Sequence, residues 1–281
     1  MNRLAENDVI DYLVLGHVTQ DITPQGSHLG GTAAYASLLA HRMGLEVGLV
    51  TAAGDEISLA RLEGVRIRKS AHHLTTTFEN HYTINKRVQH LSQIAPPLSY
   101  QDIPPSWRRA SIVHLAPVAK EIPQEMIHKF PDSFLGISLQ GWLRQWDQNG
   151  KVYPSPLDFS LQTCPPDSAV ILSLEDVGGK GDWVFQYARE CPLLIATRGK
   201  EGADIHIQGH VHHIPTSPKK ELDPTGAGDI FACAFFVHYV KHGALLEAAQ
   251  FATKLAAASV KRSGLEGVPS RTEIQSLQKV L

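Results

Sequence analysis

The residues whose types and spacing best suit chemistry lie in one short segment, Asp-Pro-Thr-Gly-Ala-Gly-Asp at 223–229. An apolar run, Ile230 to Phe236, follows at once and predicts a helix that begins near Gly226. The first turn of a helix has unpaired N–H groups and partial positive charge, so it attracts anions. Glycines there let a phosphate approach those N–H groups. The segment therefore predicts an anion-binding helix start with a carboxylate, Asp229, beside it.

Asp229 has two interpretations. In the chemical one, it accepts the proton of a substrate hydroxyl as that oxygen attacks phosphorus, while the amides of Gly226, Ala227 and Gly228 stabilise charge on the transferred group. In the structural one, Asp229 caps a helix and the glycines form a tight turn. Taken alone, the segment favours the structural interpretation, because aspartate is common at helix starts.

Short apolar runs alternate with helical patterns along most of the chain, which is typical of a parallel sheet covered by helices. Tyr12 to Gly16 predicts the first strand, Gly30-Gly31 opens a helix over 32–43 that ends at Gly44, and Val47 to Thr51 predicts the next strand. Further strands are predicted at 112–115, 134–139, 169–173 and 193–197, a hairpin at 205–214, and helices at 226–241, 245–262 and 271–280.

The segment 75–94 differs from the rest, since it is polar, rich in threonine and without helical period. It predicts exposed antiparallel strands outside the main sheet. These strands either form a lid that closes over a substrate and excludes water, or a surface hairpin without a role.

Composition and charge narrow the class of protein. The net charge of −2 and the absence of a long basic run argue against nucleic acid or an anionic membrane as partner. Three cysteines without a CxxC pair indicate a reducing compartment, so we expect a cytoplasmic protein. The most apolar stretch, Ile230 to Val240, is too short to span a bilayer.

Five stretches, in order along nearly the whole chain, resemble the ribokinase-like (PfkB) carbohydrate kinase family. They are the first strand followed by Asp21, the di-glycine Gly30-Gly31, Val-Thr-Ala-Ala-Gly-Asp-Glu at 50–56, Thr-Arg-Gly-Lys-Glu-Gly at 197–202, and the segment 223–229. Together they favour the chemical interpretation of Asp229.

The resemblance implies a single domain over 1–281 with a doubly wound, mostly parallel α/β sheet flanked by helices and a small β lid near 17–29 and 75–94. It implies transfer of the ATP γ-phosphoryl group to an alcohol with Mg²⁺, and in many members stimulation by K⁺. Asp229 would then be the catalytic base, and Gly226, Ala227 and Gly228 the anion hole. The residues implied for nucleotide binding are Ser173, Glu175, Thr197, Gly199, Gly202 and Thr225. Those implied for substrate binding are Asp21, Gly30, Gly31, Tyr35 and Arg144.

Three positions depart from the family pattern. Tyr35 stands where the family usually has asparagine, which resembles its inositol kinases and makes a cyclitol substrate plausible. The family's Asn-x-x-Glu motif is here Ser-Leu-Glu-Asp at 173–176, so either Glu175 or Asp176 could serve Mg²⁺. The strand at 112–115 is followed by Ala116-Pro117, where sugar kinases often place a glutamate.

The sequence thus predicts a sugar or cyclitol kinase with a small-molecule alcohol as substrate. Two alternatives stay open, a nucleoside kinase of the same fold and a non-catalytic regulatory protein that retains the fold. In the loop after the strand at 134–139, Arg144 would face phosphate or substrate while Trp142 and Trp146 either cover a ring or pack on the surface. An exposed lid face could also pair with a second copy of the chain.

Overall fold

A nine-stranded sheet is the largest element of the computed structural model, which describes residues 9–24, 26–70, 72–83, 86–217 and 220–279. Its strand order is β15-β14-β13-β12-β9-β8-β1-β4-β5. All neighbours pair in parallel except β13-β14 and β14-β15, which are antiparallel. The strands are β1 (Tyr12–Leu15), β4 (Val47–Thr51), β5 (Arg66–Lys69), β8 (Ile112–Leu115), β9 (Phe134–Ser138), β12 (Ser168–Ser173), β13 (Leu193–Thr197), β14 (Ala203–Ile207) and β15 (His210–Ile214).

A second, four-stranded sheet stands apart from the first, in the order β3-β2-β6-β7. It comprises β2 (Thr19–Thr23), β3 (Gly26–Gly30), β6 (Thr76–Thr83) and β7 (Lys86–Gln93). The pairs β2-β3 and β6-β7 are antiparallel and β2-β6 is parallel. The strands predicted over 75–94 are therefore confirmed as an antiparallel hairpin outside the main sheet. The expectation that they are exposed is wrong for much of β6, since Thr76, Phe78 and Asn80 are buried against the rest of the protein. A short pair, β10 (Arg144–Trp146) with β11 (Val152–Pro154), completes the strands.

Five α-helices accompany the strands within the described residues. They are α1 (Thr32–Arg42), α2 (Gly181–Glu190), α3 (Ala227–His242), α4 (Leu245–Ser259) and α5 (Arg271–Gln278). Four of them match predicted helices to within a few residues, and α2 was not predicted. No helix in this part of the chain has both the length and the hydropathy needed to cross a membrane.

Helix α3 lies against the main sheet because it is apolar on every side. Its residues from Ile230 to His238 are all buried, and a helix without a polar face has to be surrounded by protein. It packs on α1, α4 and the strands β8, β9 and β12. Gly136 of β9 leaves the room for this contact, since a Cβ there would lie 2.4 Å from the ring of Phe236. The position of α3 is therefore fixed by close packing on the sheet.

The order of strands changes direction between β1 and β8. From β1 the chain continues to β4 and β5 on one side, and then returns to β8 on the other side of β1. In such sheets the crevice outside the carboxyl ends of the strands at this point is the usual ligand site. The segments that follow β1 and β8 approach each other closely at this point. A Cβ on Gly16 would lie 2.2 Å from the carbonyl oxygen of Ala116, so only glycine fits there.

A buried hydrogen-bond chain ties the three strands at this point together. His114 of β8 contacts the Tyr12 hydroxyl of β1 through Nδ1 at 3.0 Å and the Ser138 hydroxyl of β9 through Nε2 at 2.8 Å. Burial lowers the pKa of His114 to about 3. This histidine is thus neutral and has a structural role.

We expect Gly136→Ala to destabilise the protein by about 1–3 kcal/mol, because the added methyl group overpacks the contact with Phe236. Gly181→Ala is the matched control, since a Cβ there meets no atom within 4 Å. Urea unfolding of both variants checks the expectation. Equal midpoints would contradict the close packing of α3 on β9.

Candidate active site

Asp229 lies in the first turn of α3, at the floor of a crevice beside the β1-β8 switch point. The crevice is lined by residues of the main sheet's loops, of α1 and α3, and of the smaller sheet. Its walls are Thr19, Asp21, Gly31, Thr32, Tyr35, Phe78, Gln89, Val118, Gln140, Arg144, Thr225, Gly226 and Asp229. A second depression, on the outer surface of α2, shares no lining residue with it.

The environment of Asp229 favours a carboxylate that gains a proton easily. Burial raises the pKa of Asp229 to about 6, and the negative charges of Asp176 and Asp21 act in the same direction. Thr32 and the positive charge of Arg144 oppose the rise. A carboxyl group with a pKa near 6 is still ionised at neutral pH, and it is a stronger base than an ordinary aspartate. The charge balance therefore suits proton abstraction.

The Thr32 hydroxyl is a buried polar group of the crevice without a hydrogen-bond partner in the described part of the chain. Thr32 is 1% exposed, and its Oγ1 has no hydrogen-bond partner among the described residues. It lies beside Asp229, close enough to lower the pKa of that carboxyl without a full hydrogen-bond geometry. Buried hydroxyls are nearly always paired, so an orphan here suggests that a ligand completes the site.

The two glycines at the start of α3 differ in whether the protein's own structure requires them. Gly226 has φ +81°, and a Cβ there would lie 2.3 Å from the ring of Tyr35, so both backbone and packing require glycine. Gly228 has neither constraint, since a Cβ there meets nothing within 4 Å. Glycine at that position lowers helix stability relative to alanine, and no backbone or packing constraint requires it. Open space against a bare helix start is the arrangement that an anion needs.

The amides of the expected anion hole are not equivalent. The N–H of Ala227 donates to the carbonyl oxygen of Pro224 at 3.1 Å. The amides of Gly228 and Asp229 follow in the first turn of α3, where intrahelical acceptors are lacking. No side chain caps this helix. An anion at this helix start would therefore meet mainly the amides of Gly228 and Asp229.

Asp223 holds the approach to this helix in place. Its two carboxylate oxygens accept the N–H of Thr225 at 2.9 Å and the N–H of Gly264 at 3.0 Å. The loop before α3 is thereby joined to the turn after α4. Asp223 is thus a structural member of the motif, while Asp229 faces the crevice.

The residues expected at the nucleotide lie along the same edge of the sheet. Ser173 and Thr197 are register partners at the carboxyl ends of β12 and β13. Gly199, with φ +55° and open space around it, begins the turn after β13. Gly202 closes that turn, and a Cβ there would lie 2.0 Å from the carbonyl oxygen of Ile214. Packing alone therefore requires glycine at position 202, whether or not a nucleotide binds there.

The two acidic candidates for Mg²⁺ differ in position. Glu175 is exposed. Asp176 is partly buried, accepts the N–H of Ser173 at 2.8 Å, and acts electrostatically on Asp229. The described residues contain no group of three or more His, Cys, Asp or Glu side chains that could hold a metal ion. A magnesium ion would need phosphate oxygens and water to complete its shell, which is its usual preference.

The expected substrate residues Asp21, Gly31, Tyr35 and Arg144 come together in the crevice, and Gly30 adjoins Asp21. Asp21 accepts the hydroxyl of Thr19 at 2.9 Å. Each residue of the di-glycine is required for its own reason. A Cβ on Gly30 would lie 2.3 Å from Asp21 Oδ2, and Gly31 has a φ of +87°, which favours glycine.

The aromatic residues that sequence reasoning considered for ring contacts lie mainly in the interior. Tyr35 is 2% exposed, and its ring packs directly against Gly226 at the start of α3. Trp142 is 5% exposed and donates to the carbonyl oxygen of Ile122 at 2.8 Å, and Trp146 lies at the surface on β10. Between these two, Arg144 reaches the crevice.

Arg144 is held from three sides. It donates to the carbonyl oxygen of Val118 at 3.0 Å and to Gln89 Oε1 at 3.3 Å, and its guanidinium lies 5.2 Å from the ring centre of Phe78. Sequence reasoning missed Phe78 and Gln89, which come from the smaller sheet, as well as Thr19, Thr32, Val118 and Gln140. Alternation along β6 and β7 was the available signal, but it does not reveal which face meets the crevice.

Residues 176–272 match the family model described as pfkB family carbohydrate kinase. Over these residues the chain is similar to the pfkB family of carbohydrate kinases. The matched range includes the whole segment 223–229 and the turn after β13. Asp21 and the di-glycine precede it.

Three known proteins show how the rest of the chain compares. It is 22% identical to a cytidine kinase of Thermococcus kodakarensis over 276 residues, which cover 91% of this chain and 98% of that protein. A pyrophosphate-dependent kinase in the ribokinase family, complexed with a pyrophosphate analog and myo-inositol, superposes with a TM-score of 0.78 at 20% identity, covering 94% and 99% of the two chains. Arabidopsis thaliana ribokinase complexed with ribose and ATP gives 0.68 at 16% identity, covering 96% and 99%. The two structures confirm the ribokinase fold.

We expect Asp229→Asn to be more stable than wild type above about pH 6. The folded-state pKa of Asp229 is raised, so protonation stabilises the fold below pH 4, and this contribution is lost as pH rises through about 6. Asparagine does not ionise, so the difference in unfolding free energy between Asp229→Asn and wild type should grow from about pH 4 to pH 6 and level off at roughly 3 kcal/mol. Denaturant unfolding at several pH values measures it.

Asp182→Asn, in the exposed first turn of α2, is the control for loss of one negative charge. A difference in unfolding free energy between Asp229→Asn and wild type that stays constant from pH 4 to pH 7 would contradict the raised pKa of Asp229.

Proposed function

We propose that the protein transfers a phosphoryl group from ATP to a hydroxyl of a small polyol, a sugar or a cyclitol. The observation that carries this proposal is the pairing of Asp229, partly buried and with a raised pKa, with the open space against Gly228 at the same helix start. On one helical turn, a base can remove the proton of the attacking hydroxyl while the adjacent amides stabilise the charge on the transferred phosphoryl group.

In this mechanism Asp229 accepts the hydroxyl proton as the substrate oxygen attacks the γ-phosphorus of ATP, and the bond from that phosphorus to the bridging oxygen breaks, so that ADP leaves. The amides of Gly228 and Asp229, with the partial positive charge of α3, stabilise the charge on the transferred group. Arg144 holds a positive charge in the crevice and lowers the pKa of Asp229. Catalysis of this kind is mostly positioning and electrostatics.

Nucleotide and metal belong on the side of β12 and β13. Ser173 and Thr197, at the carboxyl ends of β12 and β13, and Gly199 in the turn after β13 would contact the donor. Thr225, which lines the crevice beside Gly226, would meet its phosphates. Asp176 fits Mg²⁺ better than the exposed Glu175, because it lies close enough to act on Asp229. When bound, Mg²⁺ would neutralise charge on the donor phosphates.

A polyol fits the lining of the crevice. Besides Asp229, one further carboxylate (Asp21), two amides (Gln89 and Gln140) and one guanidinium (Arg144) line this space. Carboxylates accept hydroxyl protons, amides both donate and accept, and a guanidinium only donates, so vicinal hydroxyl groups find complementary partners.

A nucleoside acceptor is the second candidate, and the full-length similarity to a cytidine kinase favours it. The donor also needs a direct test, because a superposable structure belongs to a pyrophosphate-dependent kinase. A panel of myo-inositol, ribose, fructose and cytidine, each with ATP-Mg²⁺ or with pyrophosphate-Mg²⁺, separates these cases by the phosphorylated product.

We expect Asp229→Asn to lower kcat by about two or more orders of magnitude with the best acceptor, because the base is lost. In wild type, kcat/KM should rise with pH through about 6 as Asp229 loses its proton, and then level off. Initial rates of donor consumption between pH 5 and pH 8 measure both. A variant as fast as wild type would refute Asp229 as the base.

We expect Gly228→Ala to keep the fold and lose at least about tenfold in kcat, because its methyl group fills the space meant for the transferred phosphoryl group. Stability should stay equal or rise by up to about 0.5 kcal/mol, since alanine is the better helix former. Gly181→Ala is the control, as it also adds a methyl group in open space at a helix start. Equal activity of both variants would argue against an anion site at Gly228.

A further inference from the structure

The hairpin formed by β6 and β7 brings two side chains to the crevice. Phe78 of β6 lies under the guanidinium of Arg144, and Gln89 of β7 accepts a hydrogen bond from it. Asn80 and Gln89 are register partners, and their side chains are bonded at 2.9 Å. The position of the hairpin therefore decides how these groups meet a substrate.

Both ends of the hairpin meet at one buried histidine outside it. His17 follows β1 and is 0% exposed. Its Nδ1 lies 2.8 Å from the hydroxyl of Thr76, the first residue of β6, and its Nε2 lies 3.2 Å from the carbonyl oxygen of Pro96, just after β7. One side chain thus contacts the entry and the exit of the hairpin.

The partners of His17 fix its protonation and its tautomer. A carbonyl oxygen only accepts, so Nε2 carries the proton and donates to Pro96. Nδ1 is then the acceptor and receives the Thr76 hydroxyl, whose oxygen accepts the N–H of Ala95 at 3.1 Å. Each donor in this chain has one acceptor. Burial lowers the pKa of His17 against the raising effect of Glu121, in agreement with a neutral ring.

The backbone of His17 is anchored as firmly as its side chain. Glu121 is 1% exposed, and its carboxylate accepts the N–H groups of His17 at 3.0 Å, of Val118 at 3.0 Å and of Ala119 at 2.7 Å. The carbonyl oxygen of Val118 in turn holds Arg144. One carboxylate therefore aligns the histidine at the hairpin's base with the loop that supports the crevice arginine.

We propose that His17 is a positioning residue that fixes both ends of the β6-β7 hairpin and so sets where Phe78 and Gln89 stand in the acceptor site. It acts through Thr76 and Pro96 and does not touch the substrate. Two measurements test this role. The enzyme kinetics rest on the proposed kinase function, whereas amide hydrogen exchange of the hairpin does not.

The matched variants are Thr76→Val and Thr76→Ser. Valine keeps the shape but leaves the Ala95 N–H without an acceptor and His17 Nδ1 without a donor, whereas serine retains the hydroxyl. We expect Thr76→Val to speed hydrogen exchange of the β6 and β7 amides about tenfold, the usual cost of an unpaired buried group, while amides of β8 and β9 keep their rates. Thr76→Ser should match wild type.

The kinetic readout uses the best acceptor among myo-inositol, ribose, fructose and cytidine. We expect Thr76→Val to raise the acceptor KM about tenfold, with donor KM and kcat within about twofold of wild type. Unchanged hairpin exchange, or equal acceleration in β8 and β9, would overturn the proposal. If no acceptor turns over, the proposed function fails and the exchange result still decides the role of His17. Should Thr76→Val not fold, His17→Gln, which keeps a donor for Pro96, takes its place in both measurements.

Discussion

The burial of α3 is the constraint on which the rest of the molecule depends. Because this helix has no polar face, it has to pass through the interior, and its start is then fixed against the carboxyl ends of the central strands. Asp229 and the bare amide of Gly228 are carried to that place by the packing of residues far along the helix, such as Phe236 on Gly136. A hydrophobic contact thus positions a polar site.

Electrostatic balance in the crevice follows from this position. Asp21, Asp176 and Asp229 come from three distant parts of the chain, and their mutual repulsion adds to desolvation at Asp229. Arg144 supplies the opposing charge and is itself oriented by Val118 and Gln89. The site therefore stores an unfavourable charge arrangement in the folded state, which is a common property of catalytic centres.

The smaller sheet is connected to this site by hydrogen bonds at its base. His17 and Glu121 are buried polar residues whose partners are nearly all backbone groups. Such bonds are directional, so they fix the angle at which the hairpin leaves the main body more narrowly than apolar packing would. The wall of the crevice that Phe78 and Gln89 form thus depends on residues outside it.

The sequence by itself determined the alternation of strands and helices, the apolar helix after 229 and the hairpin at 75–94, because these depend on local periodicity. It also pointed to the glycine-rich segment 223–229, for which anion binding stays a prediction. It did not reveal α2. Nor did it indicate that Tyr35 supports Gly226, that Trp142 belongs to the interior, or that Phe78 and Gln89 reach Arg144. Only the tertiary structure decided these points, since they depend on which faces of separate elements meet, and contacts across many residues leave no local pattern in the chain.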